Sequence, residues 1–113
     1  MYVDNVKSQM RKGILEYCIL LLLHNEKAYT SNIIDWLKEA QLIVVEGTLY
    51  PLLNRLKKEG VLDYEWIEST QGPPRKYYYL TEVGEKFLQE LDSSWNQLNE
   101  TILFCQTQKS QKK

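Results

Sequence analysis

Leu88, Leu91, Trp95, Leu98, Ile102 and Cys105 succeed one another at steps of 3, 4, 3, 4 and 3 residues. That alternation keeps one face of an α-helix apolar along its length, the pattern by which long helices pack side by side. Thr81 is a natural cap for such a helix, and Glu82 and Glu85 suit its positive end. The pattern predicts a helix from there to about Thr107, roughly 40 Å long. A fold built from residues 1–80 is too small to cover it. Part of the seam is left for a partner chain, and two-fold self-association is the commonest way of covering it. Residues 81–107 are read as a dimerisation helix with those six side chains at its interface, and the polar, basic residues 108–113 as a disordered tail.

Val45 to Gly60 reads as a shorter helix. Leu49, Leu52, Leu53 and Leu56 form its apolar side. Gly60 is a natural stop, and Lys57 and Lys58 suit the negative end. Pro51 is tolerated only near the start, which places the first turn around Val45 to Gly47. Away from the leucines lie Thr48, Tyr50, Asn54, Arg55 and Lys58. Hydrogen-bonding and cationic side chains on a short helix with one buried side can enter the major groove of DNA and read base edges. An ordinary amphipathic helix with a solvated face accounts for the same pattern, so its neighbours must decide.

Before it, a helix is predicted over about Ser8–His24, with Ser8 as candidate cap, apolar on almost all sides from Ile14 onward. Another runs from Thr30 or Ser31 to Ala40, with Ile33, Ile34, Trp36 and Leu37 inward. Thr30 or Ser31 is its candidate cap, and that hydroxyl with the free N–H groups of the first turn is placed to hold a phosphate; a plain cap explains them as well. After the Val45–Gly60 helix come two extended runs, Val61–Ser69 and Lys76–Leu80, rich in strand-forming aromatics. Thr70-Gln71-Gly72-Pro73-Pro74-Arg75 between them reads as a stiff turn, with Arg75 and Lys76 at its base. Two helices joined by a short link and followed at once by a hairpin are the winged helix-turn-helix order. The expected fold is mainly α with a β-hairpin: a DNA-binding winged helix over residues 1–80 and a long C-terminal dimerisation helix. The hairpin's cations would meet the backbone or minor groove of a duplex.

Charge argues the other way. The formal net charge is -1, and a nucleic-acid binder is usually basic. The acids are concentrated, however: between Thr81 and Gln106 there are five acids and one base, Lys86, so the last helix masks a more basic remainder. The single histidine, His24, and two cysteines, Cys18 and Cys105, without a CxxC support neither a zinc site nor a disulfide scaffold, and imply reduced thiols in the cytoplasm. Ile14 to Leu23 is too short to span a bilayer and contains Glu16. No nucleophile elbow, phosphate loop or ligand cluster suggests an enzyme, a cofactor or a metal.

Three blocks resemble the PadR family of bacterial transcriptional regulators: Arg11-Lys12-Gly13-Ile14-Leu15-Glu16, then Gly47-Thr48-Leu49-Tyr50-Pro51-Leu52-Leu53-Asn54-Arg55-Leu56, and Gly72-Pro73-Pro74-Arg75-Lys76-Tyr77-Tyr78-Tyr79-Leu80-Thr81-Glu82-Val83-Gly84. The short chain with one C-terminal helix is similar to the small subfamily that includes multidrug-responsive repressors. The resemblance implies a homodimeric repressor on a pseudo-palindromic operator. It implies DNA contacts from Thr48, Tyr50, Asn54 and Arg55 of the recognition helix and from Gly72, Arg75 and Lys76 of the wing. Lys58 joins them from the polar helix face. Where the family often has Gly-Tyr at the second helix, this chain has Tyr29-Thr30-Ser31-Asn32, so a phosphate contact there would fall to Thr30, Ser31 or Asn32. In multidrug-binding relatives a tryptophan at the place of Trp95 stacks planar ligands; here Trp95, with Tyr17, Met10 and Gly13, would line such a site, or Trp95 simply fills the interface. The alternative to a DNA-binding regulator is a winged-helix module used only for protein interaction, which the near-neutral charge and acidic last helix leave open.

Overall fold

The computed structural model describes residues 1–108, so all but Gln108 of the tail expected over residues 108–113 lies outside the described residues. The elements are α1 (Tyr2–Asn25), α2 (Thr30–Glu39), α3 (Glu46–Lys58), β1 (Leu62–Ser69), β2 (Gly72–Leu80) and α4 (Glu82–Thr107). This is the expected helix-turn-helix, antiparallel hairpin and long final helix.

The start of the first helix and the cap of the second differ from expectation, while the second helix begins at Thr30 as expected. The first helix starts at Tyr2, with Met1 in the cap position and Ser8 well inside. Nothing between Tyr2 and Lys7 breaks a helix, and the stripe of Val6, Met10, Gly13 and Tyr17 continues back at helical spacing. The second helix is capped by neither Thr30 nor Ser31. Tyr29 holds the cap position without a side-chain hydrogen bond. The cause is tertiary: Ala28 pairs with Tyr78, its N–H donating at 3.1 Å and Tyr78 N–H donating back at 2.8 Å. The chain is extended until that bridge is made, and only then can it coil.

Helices α2 and α3 end alike. In α3, Val61 N–H donates to the Leu56 carbonyl and Gly60 N–H to that of Lys57, both at 3.0 Å. In α2, Leu42 donates to Leu37 and Gln41 to Lys38. These are Schellman turns, which need a left-handed residue after the cap. Gly60 supplies it at φ 82 without strain; Gln41 does so at φ 68, against the cost a side chain incurs there. Pro51 lies inside α3, so the bond it would have donated to the Gly47 carbonyl is missing. Gly47 and Pro51 are both exposed, so water can serve that carbonyl.

The hairpin is tighter than its sequence suggests. Ser69 pairs with Gly72, leaving only Thr70 and Gln71 as the turn, and Gly-Pro-Pro-Arg belongs to β2. Ile67 pairs with Arg75, so Pro73 and Pro74 together oppose Glu68 in a bulge. A bulge on an exposed strand end is where prolines, which have no N–H to give, are accommodated.

The last helix is fastened at its first turn. Thr81 Oγ1 accepts from Gly84 N–H at 3.0 Å and donates to the Gly60 carbonyl at 2.6 Å. Gly84 lies directly on the Val61 carbonyl; a Cβ there would stand 2.1 Å from that oxygen. The core joins every element: Ile19, Leu20 and Leu23 from α1, Ile33 and Leu37 from α2, Leu49, Leu53 and Leu56 from α3, with Leu62, Tyr78 and Leu88.

Candidate nucleic-acid interface

Burial of Leu49, Leu53 and Leu56 fixes how α3 is turned. At about 100° per residue, Asn54 and Lys58 fall opposite those leucines and face outward. Tyr50 and Lys57 turn toward the hairpin, and Thr48 and Arg55 toward α1. The polar face predicted as one surface is thus divided among three directions. Thr48 and Arg55 line a groove with Lys12, Gly13 and Glu16, where Arg55 Nη2 donates to Glu16 Oε1 at 2.7 Å. Lys57 pairs with Asp63 at 3.7 Å.

Tyr50 borders a cleft of about 440 Å³ whose other walls are Thr30 and Ser31 at the start of α2, and Trp66, Pro74, Arg75 and Lys76 of the hairpin. Asn32 sits one residue further along α2 and is half-buried. Gly72 is exposed at the hairpin tip. The structure therefore gathers Ser31, Tyr50, Arg75 and Lys76 around one cleft, sets Asn54 and Lys58 on the adjoining outer face, and turns Thr48 and Arg55 to the far flank.

The cations of the cleft are held by aromatic rings. The Arg75 guanidinium stands 4.5 Å over the Tyr29 ring, and Lys76 Nζ 4.4 Å over Tyr64 and 5.5 Å from Trp66. Such stacking orients a cation without neutralising it. Among the described residues, neither Lys58, Arg75 nor Lys76 forms an ion pair, whereas Lys27, Arg55 and Lys57 do. Tyr29, Tyr64 and Trp66 were not singled out from the sequence. The alternation of Tyr64 with Trp66 hints at a shared face, but that Lys76 lies opposite Trp66 follows only from the register. Tyr78 is buried beneath the cleft, and burial pushes its phenol upward, with the phenols of Tyr50 and Tyr64 adding to the shift.

At the α1–α4 contact, the Tyr17 hydroxyl donates to the Asp92 carboxylate. That hydrogen bond, with burial second, pushes the Tyr17 phenol to about 12. Its ring centroid is 6.5 Å from that of Trp95. Met10 and Gly13 occupy the same stripe of α1 but are exposed, so this chain brings together Tyr17 and Trp95 and leaves the other two uncovered. Along the seam Leu88 is buried and Leu91 half-buried, while Trp95, Leu98, Ile102 and Cys105 are exposed. Cys18 is half-buried, and burial raises its thiol; Cys105, expected on a covered stripe, is uncovered in the single chain.

This arrangement of helix pair, cation-bearing hairpin and overhanging helix is that of a winged-helix regulator. The sequence matches the PadR-like family of transcriptional regulators over residues 19–90, and the chain belongs to that family, one of regulators rather than enzymes. A PadR-like transcription factor from Bacteroides fragilis is 72% identical, with a TM-score of 0.76 over 90% of this chain and 99% of the other. A PadR-like transcriptional regulator from Bacillus cereus is 36% identical, at 0.78 over 88% and 97%. A PadR family regulator from Eggerthella lenta is 32% identical, at 0.81 over 94% and 96%. Among the described residues no helix is long and apolar enough to cross a membrane.

Proposed function

We propose that this chain is a cytoplasmic repressor that binds a pseudo-palindromic operator in double-stranded DNA as a homodimer. The observation that carries the reading is the cleft itself. Tyr50 of α3 and the cations of the hairpin stand on its two sides, with the first turn of α2 at its end, and the outer face of α3 adjoins it. A duplex laid there meets Asn54 and Lys58 in its major groove, while Arg75 and Lys76 reach phosphates on the flank. Tyr50, Gly72, Ser31 and Asn32 complete the contacts around the cleft, with Thr48 at the far flank of α3. The exposed half of the α4 seam supports the dimer, whose two-fold axis would set two such faces against half-sites one helical turn apart. A small planar effector stacked on Trp95, beside Tyr17 and with Met10 and Gly13 at the edge, would relieve repression by changing that spacing.

Binding is tested by selecting duplexes from a random library and measuring their affinity for the wild-type chain, Asn54→Ala and Lys76→Ala. Asn54→Ala should relax preference at one base position by about 1–3 kcal/mol. Lys76→Ala should weaken all sequences alike and lower the salt slope by about 1. Failure of the folded wild-type chain to bind any duplex at low salt would shift the reading to a protein-interaction module.

A further inference from the structure

We propose that Glu16 is a positioning residue for the DNA interface: it holds Arg55 against α1 in the free protein, and Arg55 passes to a DNA phosphate on binding. This rests on the DNA-binding reading above. Arg55 is on the recognition helix yet turned to its α1 flank, with Nη2 2.7 Å from Glu16 Oε1. The Glu16 side chain is 25% exposed and that of Arg55 59%. The covered carboxylate is the fixed member of the pair, and the guanidinium is the one with room to leave.

A guanidinium engaged in a charge-assisted bond to one oxyanion has fewer donors in the right geometry for a second. Glu16 and a phosphate therefore compete for Arg55, and the pair lowers affinity by the work of breaking it. The groove also holds a replacement. Lys12 lines it with Glu16 and Arg55 and lies one turn before Glu16 on α1, at a spacing where side chains meet. When Arg55 departs, Lys12 can take its place, so a half-covered carboxylate is not left without a cation. Lys58, Arg75 and Lys76 need no such exchange, because among the described residues no carboxylate holds them.

Glu16 is followed directly by Tyr17, whose hydroxyl donates to Asp92 of α4 and whose ring faces Trp95. A shift of α1 against α4 carries Glu16 with it. The exchange thus ties the packing of the final helix to one cation of the recognition helix through two adjacent residues of α1.

The test uses the full chain and sheared duplex DNA of mixed sequence, read by fluorescence anisotropy at fixed salt. Two variants are compared: Glu16→Ala, and Glu16→Asp, which keeps the charge but withdraws it by one methylene. Each should tighten binding by up to about five-fold, the span of an exposed ion pair, without raising the thermal unfolding midpoint. Mere damage to the groove would weaken binding instead. In an Arg55→Ala background Glu16→Asp, which keeps the charge, should leave affinity unchanged, and the gain from Glu16→Ala should shrink to that of losing one carboxylate. Tightening by Glu16→Asp that persists without Arg55, tightening by the Ala variant alone, or weaker binding by both folded variants overturns the proposal. A folded wild-type chain that binds no duplex is a different result, and overturns the reading on which the proposal rests.

Discussion

The two halves of α4 carry one continuous apolar pattern and meet opposite fates. From Glu82 to Asp92 the helix is fastened to its own fold: Thr81 caps it, Gly84 sits on the Val61 carbonyl, Leu88 is buried, and His24 Nδ1 meets Glu85 at 2.7 Å. From Ser93 to Thr107 every residue is exposed, although Trp95, Leu98 and Ile102 continue the same seam. Trp95 is 38% exposed, Ile102 47% and Leu98 57%. Leu103 and Phe104 add further exposed apolar surface. A patch of that kind on a chain of this size marks an interaction site. A single periodicity thus serves two partners in succession, first the chain's own domain and then, in the proposed function, a second copy.

The fastened half of α4 is most sensitive at Gly84. Substitution by alanine sets a Cβ against a backbone oxygen that cannot yield, so α4 must lift from the hairpin. A loss of about 3 kcal/mol or more is expected in urea unfolding; an unchanged midpoint would mean that the fastened half is not fastened. Leu88→Ala, in the same half, should cost about 2–4 kcal/mol. Leu98→Glu with Ile102→Glu, in the free half, should leave the winged-helix core folded and halve the mass seen by analytical ultracentrifugation. Retention of the wild-type mass would remove the second copy from the seam.

The smallest effect sits at the boundary between the halves. Tyr17 is held as a neutral phenol by Asp92, and its pKa is pushed to about 12. Its ordinary value is about 10, so the contact contributes fully below that pH and fades as pH rises through the raised value. Wild-type and Tyr17→Phe unfolding curves should therefore differ at neutral pH and converge in strong alkali. A constant difference across that range would detach the hydrogen bond from stability.

Much of this was legible in the sequence because it depends on local chemistry. The leucines of α3, the left-handed Gly60, the Thr81 cap and the α4 heptads are written at spacings a helix enforces. What was missed depends on distant partners. Tyr29 caps α2 because Tyr78, far along the chain, pairs with Ala28. Pro73 and Pro74 enter a strand because a bulge opposite Glu68 receives them. Arg55 belongs to the polar face by sequence, yet burial of the α3 leucines turns it to α1, where Glu16 meets it. Tyr29, Tyr64 and Trp66 look like core or surface aromatics until the register sets cations upon two of them and beside the third. The family's recognition-helix and wing motifs mark the right elements, but the direction of each side chain waits on tertiary packing.

In the proposed function two copies of this α3 and hairpin face a duplex together. The most direct measurement is a hydroxyl-radical footprint of the wild-type chain on the tightest duplex selected from a random library. Two symmetric protected patches, centred about one helical turn apart and both lost in the Leu98→Glu, Ile102→Glu variant, are the expected result. A single patch that survives in that variant would contradict the account.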